Sequence, residues 1–286
     1  MPGPDGTPRV FRFAPSPNGY LHRGHALSAL LNHRAAAATG GRFLVRMEDY
    51  DPPRSRPAFE SAIYEDLAWL GLTWEEPVLH QSGRFEAYAA ALDALDRLGL
   101  LYPAFMSRAE ITAAAQSRDP DGAPLYPGDE RDWSSATRKA AIESGAPYAL
   151  RLDTRRLLRD LPALGWTEVD PFGGTPPLQQ YVDLEAWGDV LLARKEVRAS
   201  YHLAVVVDDA FQGVSDVVRG KDLAPSTSVH RVLQTLLGLP EPRYFHHRLI
   251  LDENGEKLSK SRGSETIRTR RETGETREQL IAGLGL

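Results

Sequence analysis

Between Val10 and Arg54 the chain spells out strand, turn, helix and strand in an order that leaves few architectures open. Residues 10–14 form a short apolar-rich run that Pro15 ends. Pro15-Ser16-Pro17-Asn18-Gly19 is turn chemistry: two residues of fixed φ, then an Asn-Gly pair that tolerates positive φ. Over 21–39 Leu and Ala recur with helical spacing, and Gly40-Gly41 is a stop signal. Residues 42–47 read as the next strand, and 58–70 and 87–98 as helices. This alternation predicts a parallel sheet covered by helices.

Composition narrows the class. The chain has 286 residues, room for one large or two modest domains. Its 42% hydrophobic and 26% charged content exclude disorder as the main state. Cysteine is absent, which removes disulfides, thiolate nucleophiles and Cys-ligated zinc. The longest aliphatic run, 203–207, is far short of a membrane span, and residues 1–9 lack a signal-peptide core. A cytoplasmic protein with no membrane partner, and a monomer, is expected. The net charge of −5 argues against a nonspecific nucleic-acid coat, but Lys257 to Arg271 holds six basic residues and one acidic.

Residues 103–184 break the α/β rhythm, being rich in Pro, Gly and Asp, and read as an inserted subdomain. The expected organisation is 1–102 and 185–250 as two halves of a catalytic domain, 103–184 as the insert, and 251–286 as a basic loop with a short helical segment. Tyr201-His-Leu-Ala-Val-Val-Val-Asp-Asp209 reads as a central parallel strand with Asp208 and Asp209 at its C-terminal edge, where open α/β sheets bind ligands. Residues 229–237 read as a helix, 244–251 as a strand, and 277–284 as a helix.

Two motifs carry chemistry. His22-Arg23-Gly24-His25 puts two imidazoles at i and i+3 on one side of a helix start. Free N–H groups and the helix dipole make that start an anion site, and Gly24 permits close approach of a phosphate or adenine. Either histidine could instead be a surface or capping residue. Lys257-Leu258-Ser259-Lys260-Ser261 could close over a triphosphate and neutralise transition-state charge, or be a solvated basic loop.

Together these motifs resemble the HIGH and KMSKS signatures of the class I aminoacyl-tRNA synthetases. Arg12-Phe-Ala-Pro-Ser-Pro-Asn-Gly-Tyr-Leu-His22, Arg46-Met-Glu-Asp-Tyr-Asp-Pro-Pro-Arg54, Asp208-Asp209 and Val218-Arg-Gly-Lys-Asp-Leu223 are similar to the glutamyl branch. The likeness is greatest to its truncated paralogues, which glutamylate the queuosine base of tRNA(Asp). The resemblance implies an α/β fold, a Rossmann-like doubly wound parallel sheet with an inserted subdomain and a short C-terminal helical segment. Only Arg262 to Leu286 follow the KLSKS stretch, leaving no anticodon-binding domain within this sequence.

It further implies activation of L-glutamate with ATP, Mg2+ as the expected companion, and queuosine-containing tRNA(Asp) as acceptor. By resemblance His22, Gly24, His25, Lys257, Ser259 and Lys260 bind ATP, with His22, His25 and Lys260 catalytic. Arg12, Phe13, Ala14, Pro15, Ser16, Glu48, Tyr201 and Arg219 make the glutamate pocket, Glu48 taking the ammonium. Arg219 could instead be a structural partner of Asp216 or Asp222. Many relatives hold zinc in the insert through Cys-x-Cys, Tyr and Cys; the matching residues here are Ala104, Met106, Tyr126 and Glu130, so zinc is not expected. The competing readings are a minimal synthetase charging a tRNA 3′ end, a catalytically silent tRNA-binding paralogue and a small nucleotidylyltransferase.

Overall fold

The computed structural model describes residues 6–194, 198–252, 255, 258 and 265–286. In chain order its elements are β1 (Val10–Phe13), α1 (Arg23–Thr39), β2 (Arg42–Met47), α2 (Pro57–Trp69), β3 (Glu75–His80), α3 (Phe85–Arg97), β4 (Leu101–Ala104), α4 (Arg108–Ala114), α5 (Ser135–Glu143), β5 (Ala149–Leu152) and α6 (Thr154–Asp160). There follow β6 (Gly165–Glu168), β7 (Leu178–Tyr181), β8 (Leu191–Arg194), α7 (Tyr201–Phe211), β9 (Asp216–Gly220), α8 (Ser226–Leu237), β10 (Arg243–His247), α9 (Ile267–Glu272) and α10 (Arg277–Gly283).

Seven strands form one sheet in the order β3-β2-β1-β9-β10-β6-β7, parallel except for the β6–β7 pair. The chain builds outward from β1 to β3, then returns to add β9 on the other side of β1. That reversal is the switch point of a doubly wound sheet, where ligands bind beyond the strand C-termini. Asn32, fully buried on α1, donates to the Val218 carbonyl at 2.9 Å and ties the first crossover helix to β9.

Alternation along the strands sorts the side chains into two faces. Phe11, Phe13, Phe43, Val45 and Val218 pack with α1, α2 and the C-terminal helices into the larger core. Val10, Leu44, Val217 and Tyr244 lie on the opposite face. Two residues further along each strand, that face carries Arg12, Arg46, Arg219 and His246. Four polar groups thus share one face at one end of the sheet, and α7 covers them.

Two expectations change. Residues 201–209 are not a strand: Tyr201–Phe211 is the helix α7, capped by the Ser200 hydroxyl, which accepts from Leu203 N–H at 3.3 Å. The helix is buried on several sides, so its apolar run lacks the spacing of an amphipathic helix. The adjacent strand is β9, with Arg219 inside it rather than beyond it. The second change concerns the insert. β6 and β7, within 103–184, extend the main sheet through Tyr244↔Glu168, whereas β8, beyond 184, completes a three-stranded antiparallel sheet with β4 and β5.

The C-terminal helices fold back on the first crossover unit. Arg271 meets the buried Asp66 at 3.0 Å and lies over Trp69, and Arg268 and Arg270 pair with Glu272 and Glu275. Each described arginine of the basic run thus has a carboxylate partner. No helix among the described residues is long and apolar enough to cross a membrane.

Candidate active site

A cavity of about 390 Å3 opens at the switch point, beyond the C-terminal ends of β1 and β9. Arg12, Phe13, Ala14, Pro15, Ser16, His22, Gly24, His25, Glu48, Tyr201 and Arg219 all line it. Leu258 lines it as well. Lys257, Ser259 and Lys260 lie outside the described residues.

The two histidines of the helix start are both capping and cavity-lining groups. His22 is the N-cap of α1: its Nδ1 accepts from Gly24 N–H at 3.1 Å, and His25 Nδ1 accepts from His22 N–H at 3.2 Å. A backbone N–H can only donate, so each Nδ1 must be the unprotonated nitrogen, and in the neutral ring Nε2 carries the proton. The backbone therefore makes both imidazoles Nε2–H donors, as phosphate oxygens require. The rings pack 3.8 Å apart between centroids. Gly24 answers to that packing: a Cβ there would meet His22 Cε1 at 3.0 Å.

Under the cavity floor, charges are matched tightly. Asp209 on α7 accepts from Arg12 Nε at 3.1 Å, Arg12 Nη2 at 3.2 Å and Arg46 Nη1 at 2.6 Å. Arg46 is fully buried and lies 3.6 Å from Glu48. Despite desolvation, the two guanidinium groups hold Asp209 below the usual carboxylate range. Arg12 thus presents to the cavity a guanidinium already braced by a carboxylate. The rotation of roughly 100° between consecutive helical residues directs the adjacent Asp208 elsewhere, to Gln81 at 3.0 Å, Arg84 at 3.0 Å and Tyr88 at 2.5 Å.

Burial pushes the Glu48 carboxyl up to about 6, against the pull of Arg46 and Arg12. The folded value lies above the unfolded one, so this group's contribution to stability falls as pH rises from about 4.5 through 6. Ionised Glu48 is therefore a costly group that a substrate ammonium would stabilise. We predict that kcat/KM for the amino-acid substrate rises with pH to a plateau above about 6. Glu48→Gln should abolish that limb and lower the plateau by roughly 10- to 100-fold. A pH series of amino-acid-dependent pyrophosphate exchange measures both.

Arg219 forms no carboxylate pair among the described residues. Asp216 is taken by Arg9 and by Arg243, the latter at 2.9 Å. Arg219 instead donates to four neutral acceptors: His246 Nε2 at 3.1 Å, Tyr201 Oη at 3.3 Å, His230 Nδ1 at 3.1 Å and Thr227 Oγ1 at 2.7 Å. A cation held only by neutral groups keeps its full charge for a ligand carboxylate.

The match to known proteins agrees with this geometry. The family model for the catalytic domain of class I tRNA synthetases (E and Q) covers residues 9–286. Glutamyl-Q tRNA(Asp) synthetase of Rhodobacter capsulatus is 43% identical over 97% of this chain and 100% of its own length. That of Nocardia farcinica is 43% identical over 95% and 82%. The chain belongs to the glutamyl-Q tRNA(Asp) synthetase family. Two solved glutamate-tRNA synthetases share its fold: that of Elizabethkingia anophelis with a TM-score of 0.74 and that of Elizabethkingia meningosepticum, solved with its amino acid, with 0.71. Both are 26% identical over 94% of this chain, which spans 54% and 53% of theirs.

At the four positions where the resemblance places zinc ligands, this member of the glutamyl-Q family carries a hydrogen-bonded cluster. Tyr126 Oη donates to Glu130 Oε1 at 2.6 Å, and Phe105 N–H donates to the same oxygen at 3.0 Å. Ala104 and Tyr102 pack on Tyr126, with Met106 against them. Alanine offers no donor and Glu130 is engaged by two hydrogens, so the four positions do not suit tetrahedral zinc. Glu130→Leu should lower stability by about 1–3 kcal/mol by orphaning those donors, and a chelator should leave the melting temperature within 1 °C or so of the untreated value. Thermal unfolding with and without a chelator reads both.

Several participants escape sequence reasoning. Arg46, a cation inside an apolar strand beside Glu48, was the available signal for the charge cluster. His246 and His247 are a second example: His246 bonds Arg219 and Glu168, and His247 is 6% exposed.

Proposed function

We propose that the switch-point cavity activates L-glutamate with ATP, and that the glutamyl group passes to a hydroxyl of the queuosine base in tRNA(Asp). The observation that carries this reading is the juxtaposition, in one cavity, of a helix start with two Nε2–H donors and a pocket holding Glu48, Arg12 and Arg219, which meets no carboxylate among the described residues. A triphosphate suits the first. An amino acid with two carboxylates and an ammonium suits the second.

In the first step a glutamate carboxylate oxygen attacks the α-phosphorus of ATP in line, and pyrophosphate leaves. No protein nucleophile is needed. Positioning and electrostatics supply the rate: the imidazoles donate to phosphate oxygens, Arg219 and Arg12 hold carboxylate charge, and Glu48 holds the ammonium. Among the described residues no group of three His, Asp or Glu is arranged to hold a metal. A magnesium ion would be held chiefly by the phosphates it accompanies. In the second step the acceptor hydroxyl attacks the carbonyl of glutamyl-adenylate and AMP leaves.

Glutamate- and ATP-dependent pyrophosphate exchange without tRNA tests the first step. For the second, labelled glutamate should appear stably on queuosine-containing tRNA(Asp) and not on tRNA(Asp) lacking queuosine. Equal labelling of both would replace this reading with charging of a 3′ end.

A further inference from the structure

A second cavity, of about 340 Å3, lies against the first, and Tyr201 lines both. Its lining includes Tyr50, Arg54, Trp187 and His202. Behind the Tyr201 partition runs a chain of nitrogens. Arg219 Nη1 is 3.1 Å from His230 Nδ1, and His230 Nε2 is 3.2 Å from His202 Nδ1.

The direction of this chain has one solution. A guanidinium cannot accept a hydrogen bond, so His230 Nδ1 must be the acceptor. The His230 proton is then on Nε2, which donates to His202 Nδ1. His202 in turn carries its proton on Nε2. The second branch is fixed the same way: Arg219 Nε donates to His246 Nε2, leaving His246 Nδ1–H to meet Glu168. Protonation of His230 or His202 would set two donors face to face, and burial beside Arg219 drives both imidazoles below their ordinary value. Both rings stay neutral across the physiological range, so the polarity does not switch.

We infer that Arg219–His230–His202 is a one-way hydrogen-bond relay joining the amino-acid pocket to the second cavity, where His202 Nε2–H receives a neutral oxygen acceptor, a hydroxyl of the incoming nucleoside. His230 and His202 are positioning residues: the first orients Arg219, the second presents a donor whose polarity Arg219 dictates. Edge-on packing against Trp187, 5.1 Å between centroids, holds the His202 ring in place. The inference rests on the proposed function only in naming the acceptor as a nucleoside; the relay itself stands on the hydrogen-bond geometry.

The test begins with ring-nitrogen NMR of the full chain labelled with 15N-histidine. His230 and His202 should both show protonated Nε2 and bare Nδ1, unchanged between pH 5.5 and 8.5. A reversed tautomer in either ring, or a titration near the ordinary histidine value, overturns the relay. Kinetics then test its use. His230→Gln keeps an acceptor oxygen for Arg219 and an amide donor for His202, whereas His230→Leu keeps neither. The leucine variant should raise the glutamate KM in pyrophosphate exchange about tenfold or more, and the glutamine variant should recover most of that loss. Equal defects would reduce His230 to packing and overturn the proposal. His202→Phe should raise the KM for queuosine-containing tRNA(Asp) at least five times more than it raises the glutamate KM. Equal changes would remove the acceptor from the second cavity. Absence of exchange in the unaltered protein would refute the proposed function while the NMR result still decides the relay.

Discussion

Asp209→Asn should be among the most destabilising single substitutions in this chain, at about 3–5 kcal/mol. The reason lies in what it abandons. Asp209 alone receives Arg12 through two nitrogens and the wholly buried Arg46 through a third. Without its charge the two guanidiniums face each other with Glu48, 3.6 Å from Arg46, and the more distant Asp208 left to offset them. Asparagine can accept at one oxygen, and its amide would point a donor at a donor. Denaturant unfolding measures the loss. In a chain of this size it corresponds to a fall in melting temperature of roughly 10 °C. Pairing the change with Arg46→Met should recover part of it, because an apolar side chain no longer demands a counter-charge. A loss under about 1 kcal/mol, or no recovery in the pair, would mean that water reaches the cluster and solvates it.

The pH behaviour of this cluster has opposite signs at two carboxylates. Asp209 is depressed, so its contribution is present above its unfolded value and lost as pH falls through the lower folded one. Glu48 is raised to about 6, so near neutrality it is held ionised at a cost. One carboxylate has been committed to structure and the other left available to a ligand. Their positions explain why. Asp209 accepts hydrogen bonds from two guanidinium groups, whereas Glu48 feels Arg46, at 3.6 Å, and Arg12 at longer range and faces the cavity.

The first crossover was legible because its signals are local. The turn at 15–19, the apolar period of α1 and the glycine stop act within a few residues, and β1, α1 and β2 lie where these place them. α7 was not, because a helix buried on several sides shows no amphipathic period, and Leu203 to Val207 satisfies a buried strand equally well. Ser200 ahead of the run and Gly213 at φ 66° beyond it were the available helix signals. The edges of the insert were hidden for another reason. Which sheet β6 or β8 joins is decided by pairing with strands many residues away, as in Tyr244↔Glu168. The candidate site was legible as residue types with familiar spacing; its wiring was not. Nothing near Asp209 in sequence points to Arg12, and nothing near His202 points to Arg219. The register of β1, β2, β9 and β10 puts four polar residues on one face, and α7 then supplies their partners.

Arg219→Ala should produce the largest loss of catalysis in the amino-acid pocket. Removing a hydrogen-bonded buried cation that pairs with a substrate carboxylate costs about 2–5 kcal/mol, or roughly 30- to several thousand-fold in kcat/KM for glutamate. The KM for ATP should move less than about threefold, since the phosphate site proposed above is the start of α1. Arg219→Lys should not rescue it. A lysine has one nitrogen to place among acceptors on His246, Tyr201, His230 and Thr227, which the guanidinium meets with three. Arg219→Ala should also narrow the preference for glutamate over glutamine, because the neutral amide never drew on the missing charge. Pyrophosphate exchange with each amino acid, at varied ATP, separates these effects. A fall in which glutamate and glutamine suffer alike, or in which ATP binding accounts for the loss, would assign Arg219 to holding α7 and α8 against β9 rather than to reading the substrate.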